Sequence, residues 1–409
     1  MPVIARYAAI TLPPMFLLLL AATAWGGFAW IALAWLTIVA AVADRLLEPP
    51  KTPAPEEETL PWSDTLSFGL GVGHLLVLIA TCTALGSASL TFGQSIALFL
   101  ATASFFGQVS HPNAHELIHR RIPIFKALGA AVYTSVGFGH HVSAHRLVHH
   151  RHVGTEQDPN TPLPGESFWA YLPRAWRGSF ETGIVQEIER LDRKGHGPNH
   201  ISNPYWLWLG GALLTVIAVL TGAGLGGLLV LIGLGALTGA QILMSDYVQH
   251  YGLQRLILPN GRIEPVAAHH SWNAPKGFSS YLMMNAPAHS EHHMHPDQPY
   301  ERLDTEAQVP TLPFSMPIMA MIATVPTAWH RMMDKRALKV MEAAQAAHLA
   351  PKPAAQSAPE PTQAPVTANP QDAAPNSPVV PKQEAPEAAP LSDDPETDAM
   401  LQAIRAATR

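Results

Sequence analysis

Residues 66–119 read LSFGLGVGHLLVLIATCTALGSASLTFGQSIALFLATASFFGQVSHPNAHELIH, and this stretch decides the fold. Its part 66–109 carries no Asp, Glu, Lys or Arg. An uncharged run about twice the ~20 residues needed to cross a bilayer reads as a helical hairpin, each arm satisfying its own backbone hydrogen bonds. Gly86–Ser87 marks its turn. Similar runs occupy 9–43, with Gly26–Gly27 in the middle, and 203–244, with Gly222–Gly227. Three hairpins predict six spans, at 9–26, 27–43, 66–86, 89–109, 203–221 and 224–244. The competing reading is three long buried helices of a water-soluble fold, but these runs far exceed the ~11–12 residues of an ordinary globular helix. Composition agrees with a membrane protein: 48% hydrophobic and only 14% charged, against a usual charged share of ~25%. The expected fold is an all-α integral membrane protein with six transmembrane helices.

The hairpin tips are uncharged, while Arg6, Arg45, Lys51, Arg120, Arg121, Lys126, Arg174, Arg177, Arg190, Arg193 and Lys194 fall on the other side. By the lysine/arginine bias that side is cytoplasmic, with both termini inside a bacterial inner membrane. No cleavable signal peptide is expected, because the first apolar segment runs straight into another. Cys82, the only cysteine, lies in the third span, so neither an intrachain disulfide nor thiolate ligation is expected. The net charge of −6 owes much to Glu56–Glu58 and the tail, and no basic aromatic stripe argues for nucleic acid. Residues 1–348 read as one membrane domain. The segment Ile124–Phe138 is too short for a span and reads as a buried or interfacial helix; 313–329 is apolar but broken by prolines, and a helix of mixed polarity is expected over 328–348. Residues 349–409 read as a disordered Pro/Ala-rich tail, with twelve prolines between 351 and 400.

Sixteen of the 21 histidines lie in two windows, His111–His152 and His250–His295, both bordering the apolar runs on the same side. Neutral imidazole suits Fe, Zn, Cu and Ni. In His111-Pro-Asn-Ala-His115-Glu-Leu-Ile-His119, His115 and His119 stand one turn apart on a helix leaving the fourth span. In His141-Val-Ser-Ala-His145-Arg-Leu-Val-His149-His150, His145 and His149 are expected to share a face, with His150 reaching in from the flank. His250 follows the sixth span, and His289-Ser-Glu-His292-His293 makes a further imidazole face. One transition-metal ion needs three or four such groups, so nine fit two ions better. His115-Glu116-Leu117-Ile118-His119 also satisfies the HExxH pattern of zinc proteases, with Glu116 as general base, but that reading leaves most of the other histidines unused. Isolated histidines are usually structural; three clusters at helical spacing on one side of the membrane are not.

The clusters His-x3-His, His-x3-His-His and His-x2-His-His resemble the membrane-bound di-iron hydroxylase and desaturase superfamily. Further marks are Asn113-Ala-His-Glu-Leu-Ile-His-Arg120, Gly154-Thr-Glu-Gln-Asp-Pro159, Gly165-Glu-Ser-Phe168, His250-Tyr-Gly252, His269-His-Ser-Trp-Asn273 and Arg302. With these the chain resembles, over about residues 10–335, the alkane 1-monooxygenase branch, which includes the xylene monooxygenase hydroxylase component. The resemblance implies a cytoplasmic di-iron cap in which His115, His119, His145, His149, His150, His250, His289, His292 and His293 ligate two Fe ions. The chain departs from the branch at Arg146-Leu147-Val148, where members commonly carry Asn-Arg-Gly; the ligand spacing survives. Glu116, Asp158, Asp246, His269 and Glu291 are candidates to accept the other ring N–H of a ligand histidine. For Asp158 the alternative is a turn before Pro159, and for Glu291 a solvated position. His111, His140, His141, His152, His270 and His295 are expected outside the ligand set. Trp25, Trp30 and Trp35 are candidates to shape a substrate channel, against a role as interfacial anchors.

The resemblance further implies O2-dependent terminal hydroxylation of medium- or long-chain n-alkanes, R–CH3 + O2 + 2 e⁻ + 2 H⁺ → R–CH2OH + H2O. Such a substrate partitions into hydrocarbon at ~0.8 kcal/mol per CH2 and can enter from the bilayer. The chain has no flavin fingerprint and no dinucleotide-binding unit, and one cysteine cannot hold an iron–sulfur cluster. Electrons are therefore expected from an external rubredoxin and its NAD(P)H-dependent reductase, with a ferredoxin as the other donor. Methyl hydroxylation of alkyl-aromatics, acyl-lipid desaturation and zinc proteolysis are the competing activities; His250-Tyr-Gly252 and Ser271-Trp-Asn273 favour hydroxylation.

Overall fold

The computed structural model describes residues 3–46, 62–275, 277–303 and 309–349. The Pro/Ala-rich tail lies outside the described residues, apart from its first position. Regular structure among the described residues is helical, with only two isolated bridges, Ile257–Ile263 and Asn273–Thr311. The apolar runs form α1 (Val3–Thr23), α2 (Phe28–Leu46), α3 (Ser63–Gly86) and α4 (Phe92–His119). Then come α5 (Pro123–Ser135), α6 (residues 141–152), α7 (Phe168–Asp192) and α8 (Tyr205–His250). The short α9 (Phe278–Leu282) and α10 (His289–Met294) precede α11 (Met316–Ala323) and α12 (Pro326–Leu349). Helices α5, α11 and α12 stand where the sequence placed its non-spanning segments.

Helix α4 begins in a capping box. Thr91 Oγ1 accepts from Gln94 N while Gln94 Oε1 accepts from Thr91 N, so two otherwise orphaned donors are satisfied. The helix does not stop where the apolar sequence does. It continues through a π turn at Phe106–Ser110 into the histidine-bearing stretch 111–119 and ends where Arg120 turns extended. The helix thus continues past the expected end of the span at 109 to carry His115 and His119, because helical hydrogen bonding outlasts the hydrophobic run.

Among the described residues, five helices are long and apolar enough to cross a bilayer. The expected spans 203–221 and 224–244 are two arms of α8. Its 46 residues would stretch ~69 Å if straight, at ~1.5 Å per residue, more than twice the ~30 Å hydrocarbon core. They are not straight. Gly224 adopts φ 67°, ψ −169°, a conformation open in practice only to glycine. A Cβ on Gly211 would lie 2.6 Å from Thr134 Cγ2, and one on Gly235 would lie 2.7 Å from Val136 O. Positions on either side of Gly224 thus meet the same short stretch at the end of α5, which requires α8 to double back. Its bend packs on α3, where a Cβ on Gly86 would sit 2.4 Å from Ala223 O.

Leu18, Leu98, Ala101, Leu234 and Ile242 are fully buried between these helices. Outward-facing Leu76, Ile79, Leu213, Leu214, Leu225 and Leu229 are all more than half exposed. A continuous apolar exterior of this kind suits lipid rather than water. The histidine-rich ends of α4 and α8 and the connecting segments gather at one end of the bundle.

Candidate metal centre

Four elements carry the histidines: the end of α4, α6, the end of α8 and α10. On α4 the ordinary α-helical register holds, and the rings of His115 and His119 lie 5.1 Å apart in the same group. On α6 it does not. Residues 145–149 form a π turn in which His150 N–H donates to His145 O, five residues back. The extra residue in the turn brings His150 Nε2 to 2.9 Å from His145 Nε2. The His149 ring still stacks on His145 at 5.2 Å but gives its nitrogen to the other group, so the expected shared ligation by His145 and His149 is corrected to His145 with His150. On α10, His289 and His293 stay together at i, i+4 spacing while His292 points to the other group.

Two groups result. His115, His119, His145, His150 and His292 form one, and His149, His250, His289 and His293 the other. Each draws on both sequence windows, and neither contains a carboxylate. The groups abut, with the rings of His150 and His293 4.8 Å apart.

The donor geometry fits transition-metal ions. Nε2 atoms face each other at 2.8 Å (His115–His145), 2.9 Å (His145–His150), 3.2 Å (His150–His292), 3.0 Å (His250–His289) and 3.1 Å (His289–His293). Nitrogens at ~2.1 Å from one ion and at right angles stand ~3.0 Å apart. Hydrogen bonding alone cannot account for such chains, since a neutral imidazole nitrogen is either donor or acceptor. Moreover, Nε2 of His119 and Nε2 of His149 are buried with no hydrogen-bond partner. Burial, followed by repulsion from neighbouring imidazoles, holds His145, His150, His292 and His293 well below their usual pKa, in the neutral ligating form; His289 behaves likewise.

Outer contacts fix the rings. Asp158 Oδ2 accepts from His149 Nδ1 at 2.8 Å and from Thr161 Oγ1 at 2.8 Å, while its Oδ1 accepts from Asn160 N at 3.0 Å. Asp158 therefore makes both the histidine contact and the Asx turn that the sequence offered as alternatives. Asp246 accepts from Asn160 Nδ2 at 2.7 Å and reaches His149 through Asn160 and Asp158, besides attracting its ring as a nearby charge. His250 Nδ1 donates to the carbonyl of His270 at 3.0 Å. The other candidates serve elsewhere. Glu116 stands ~100° around the helix from His115 and forms an ion pair with Arg120, Oε1 lying 3.0 Å from Nε. Glu291 holds His295 Nδ1 at 2.9 Å, and His269 lies 3.1 Å from Glu264. Committed to Arg120, Glu116 is not placed as the base of a zinc protease.

Trp25 and Trp30 are 60% and 51% exposed on the apolar exterior, as anchors would be. Trp35 donates from Nε1 to Ile10 O at 3.1 Å and packs on Phe278. None of them lines the apolar cavity of about 530 Å³ bounded by Leu36, Gly107, Phe168, Met244, Met283 and Met316. Sequence reasoning also passed over Asn160, Thr161 and Glu264. The first two extend the Gly154–Pro159 run and were within reach as turn residues; Glu264 has no local signal.

Residues 90–314, which enclose all nine histidines, match the fatty acid desaturase family. The chain is 30% identical over 335 residues to alkane 1-monooxygenase 1 of Alcanivorax borkumensis, covering 80% of this chain and 82% of that protein. It is 28% identical over 324 residues to an alkane 1-monooxygenase of Pseudomonas putida (77% and 79% covered). The xylene/toluene monooxygenase hydroxylase component of Pseudomonas putida is 28% identical over 253 residues (60% and 65% covered). Since likeness of this extent coincides with the ring nitrogens converging in two groups, the chain belongs to the fatty acid desaturase family, in its alkane 1-monooxygenase branch.

Proposed function

We propose that the protein is a membrane di-iron monooxygenase that hydroxylates the terminal methyl of medium- or long-chain n-alkanes, drawing electrons from an external rubredoxin. The observation that carries this reading is the gathering of nine imidazoles, without a carboxylate, into a group of five and a group of four. Each group would hold one iron; bound there, the ions supply the reduction of O2 and the oxidation of the methyl C–H bond.

The protein's own part is ligation, orientation and exclusion. Asp158 keeps a proton on His149 Nδ1 and so leaves Nε2 free for metal, and the His270 carbonyl does the same for His250. The apolar cavity gives a lipophilic chain a route from the bilayer. Its rim includes the exposed Leu100, Leu237 and Met321, while Gly107 and Met244 lie on the helices that lead to His115 and His250. The lysine/arginine bias supports a cytoplasmic centre in the inner membrane, with six crossings if both arms of α8 traverse it.

Similarity to the xylene/toluene component favours, as a second reading, methyl hydroxylation of alkyl-aromatics. Detergent-purified protein should contain about two irons per chain and, given reductant and O2, convert octane or hexadecane to the 1-alkanol. Product from xylene but not from alkanes would select the second reading, an alkene or desaturated acyl chain would select desaturation, and zinc without O2 uptake would sink all three.

A further inference from the structure

We propose a third metal site, for a single Zn²⁺ ion, built by Glu264, His269 and His348, which clamps the last turn of α12 to the loop behind the histidine centre. Glu264 and His269 lie in the loop after α8, and His348 lies some eighty residues later near the end of α12. The Glu264 side chain is nearly inaccessible, at 4% exposure. Its two carboxylate oxygens are differently employed. Oε2 is taken by Leu256 N and His270 Nε2, each at 3.2 Å. Because His270 Nδ1 accepts from Ala267 N at 2.9 Å, its proton sits on Nε2 and points at Glu264. His270 is thus a positioning residue rather than a ligand.

Oε1 is left for the other two imidazoles, with His348 Nε2 at 2.7 Å and His269 Nε2 at 3.1 Å. The His269 nitrogen is buried and, despite its nearness, makes no hydrogen bond. It is aimed beside Oε1 rather than at it, as His119 and His149 are in the nine-histidine centre. Two imidazole nitrogens within 3.1 Å of one carboxylate oxygen offer a donor set for zinc, with a fourth position open to solvent. The His269 and His348 side chains are 27% and 37% exposed, which gives an ion an entry path. Arg255 is the nearby cation, but it is engaged by the carbonyls of Glu264 and Arg151 rather than by the carboxylate. The site adjoins the larger centre through one residue, since the His270 carbonyl that holds His250 belongs to the same turn as His269.

The test is titration of the full-length, iron-loaded protein with Zn²⁺, counting zinc and iron per chain after gel filtration. The wild type should take up one zinc with its iron retained. In His348→Ala and His269→Ala, zinc affinity should fall by more than about 100-fold, beyond what loss of an outer partner costs a metal site, with iron unchanged. His348 is a solvent-exposed position near a helix end, so its truncation leaves the fold intact. Equal zinc uptake by wild type and His348→Ala overturns the proposal, as does no uptake by the wild type, or zinc appearing only as iron is displaced.

Discussion

A ring nitrogen that ligates through Nε2 must carry its proton at Nδ1, and the contact from His149 to Asp158, buried at both ends, secures this. Asp158→Asn keeps the size but offers an amide in place of a charged acceptor. It should weaken iron retention by about 10–100-fold, read as iron left after dialysis against a chelator. Asp246→Asn, one residue further out through Asn160, should have the smaller effect in the same assay. Glu116→Gln separates two readings of the same five residues. It should keep its iron and its oxygenase turnover if Glu116 only anchors Arg120, whereas a protease would lose its base; iron analysis and product yield decide.

At the scale of elements, the hairpins and the His115/His119 pair were legible because apolar run length and a period of 3.6 fix them. The π turn at 145–149 was not, since nothing in His-Arg-Leu-Val-His distinguishes five residues per hydrogen-bonded step from four. The doubling of α8 within Gly222–Gly227 was legible too, and only the choice of Gly224 among Gly222, Gly224, Gly226 and Gly227 was not, because these glycines offered several equal places to bend. The loop after α8 shows how an element secures the centre. Gly252 has φ 72°, and a Cβ there would lie 2.6 Å from that of Ala337 on α12. Gly252→Ala should therefore cost about 1–3 kcal/mol and loosen His250, two residues away, seen as a lower thermal midpoint together with faster iron loss.

For the molecule as a whole, the membrane class and the nine candidate ligands could be read from the sequence, while their division between two groups required the three-dimensional fold. The buried imidazoles also set the response to acid. Unfolded, they bind a proton near pH 6.5; folded, His145, His150, His289, His292 and His293 do so only well below that value. Between those values the unfolded chain holds more protons, so stability falls as pH is lowered through 6.5. The iron-free protein should melt at a lower temperature at pH 5.5 than at pH 7.5, by thermal scan in detergent. The carboxylate-free donor set has a last consequence, for electrophoresis and calorimetry. The imidazoles held neutral by burial release no proton when an ion arrives, whereas His149, whose pKa is raised because Asp158 and Asp246 outweigh its burial, is the one ligand placed to give a proton up. Filling therefore adds nearly the whole charge of the ions to a chain of formal net charge −6. Empty and filled molecules should then separate by isoelectric focusing, and the heat of filling should depend on the ionisation enthalpy of the buffer only through the His149 proton.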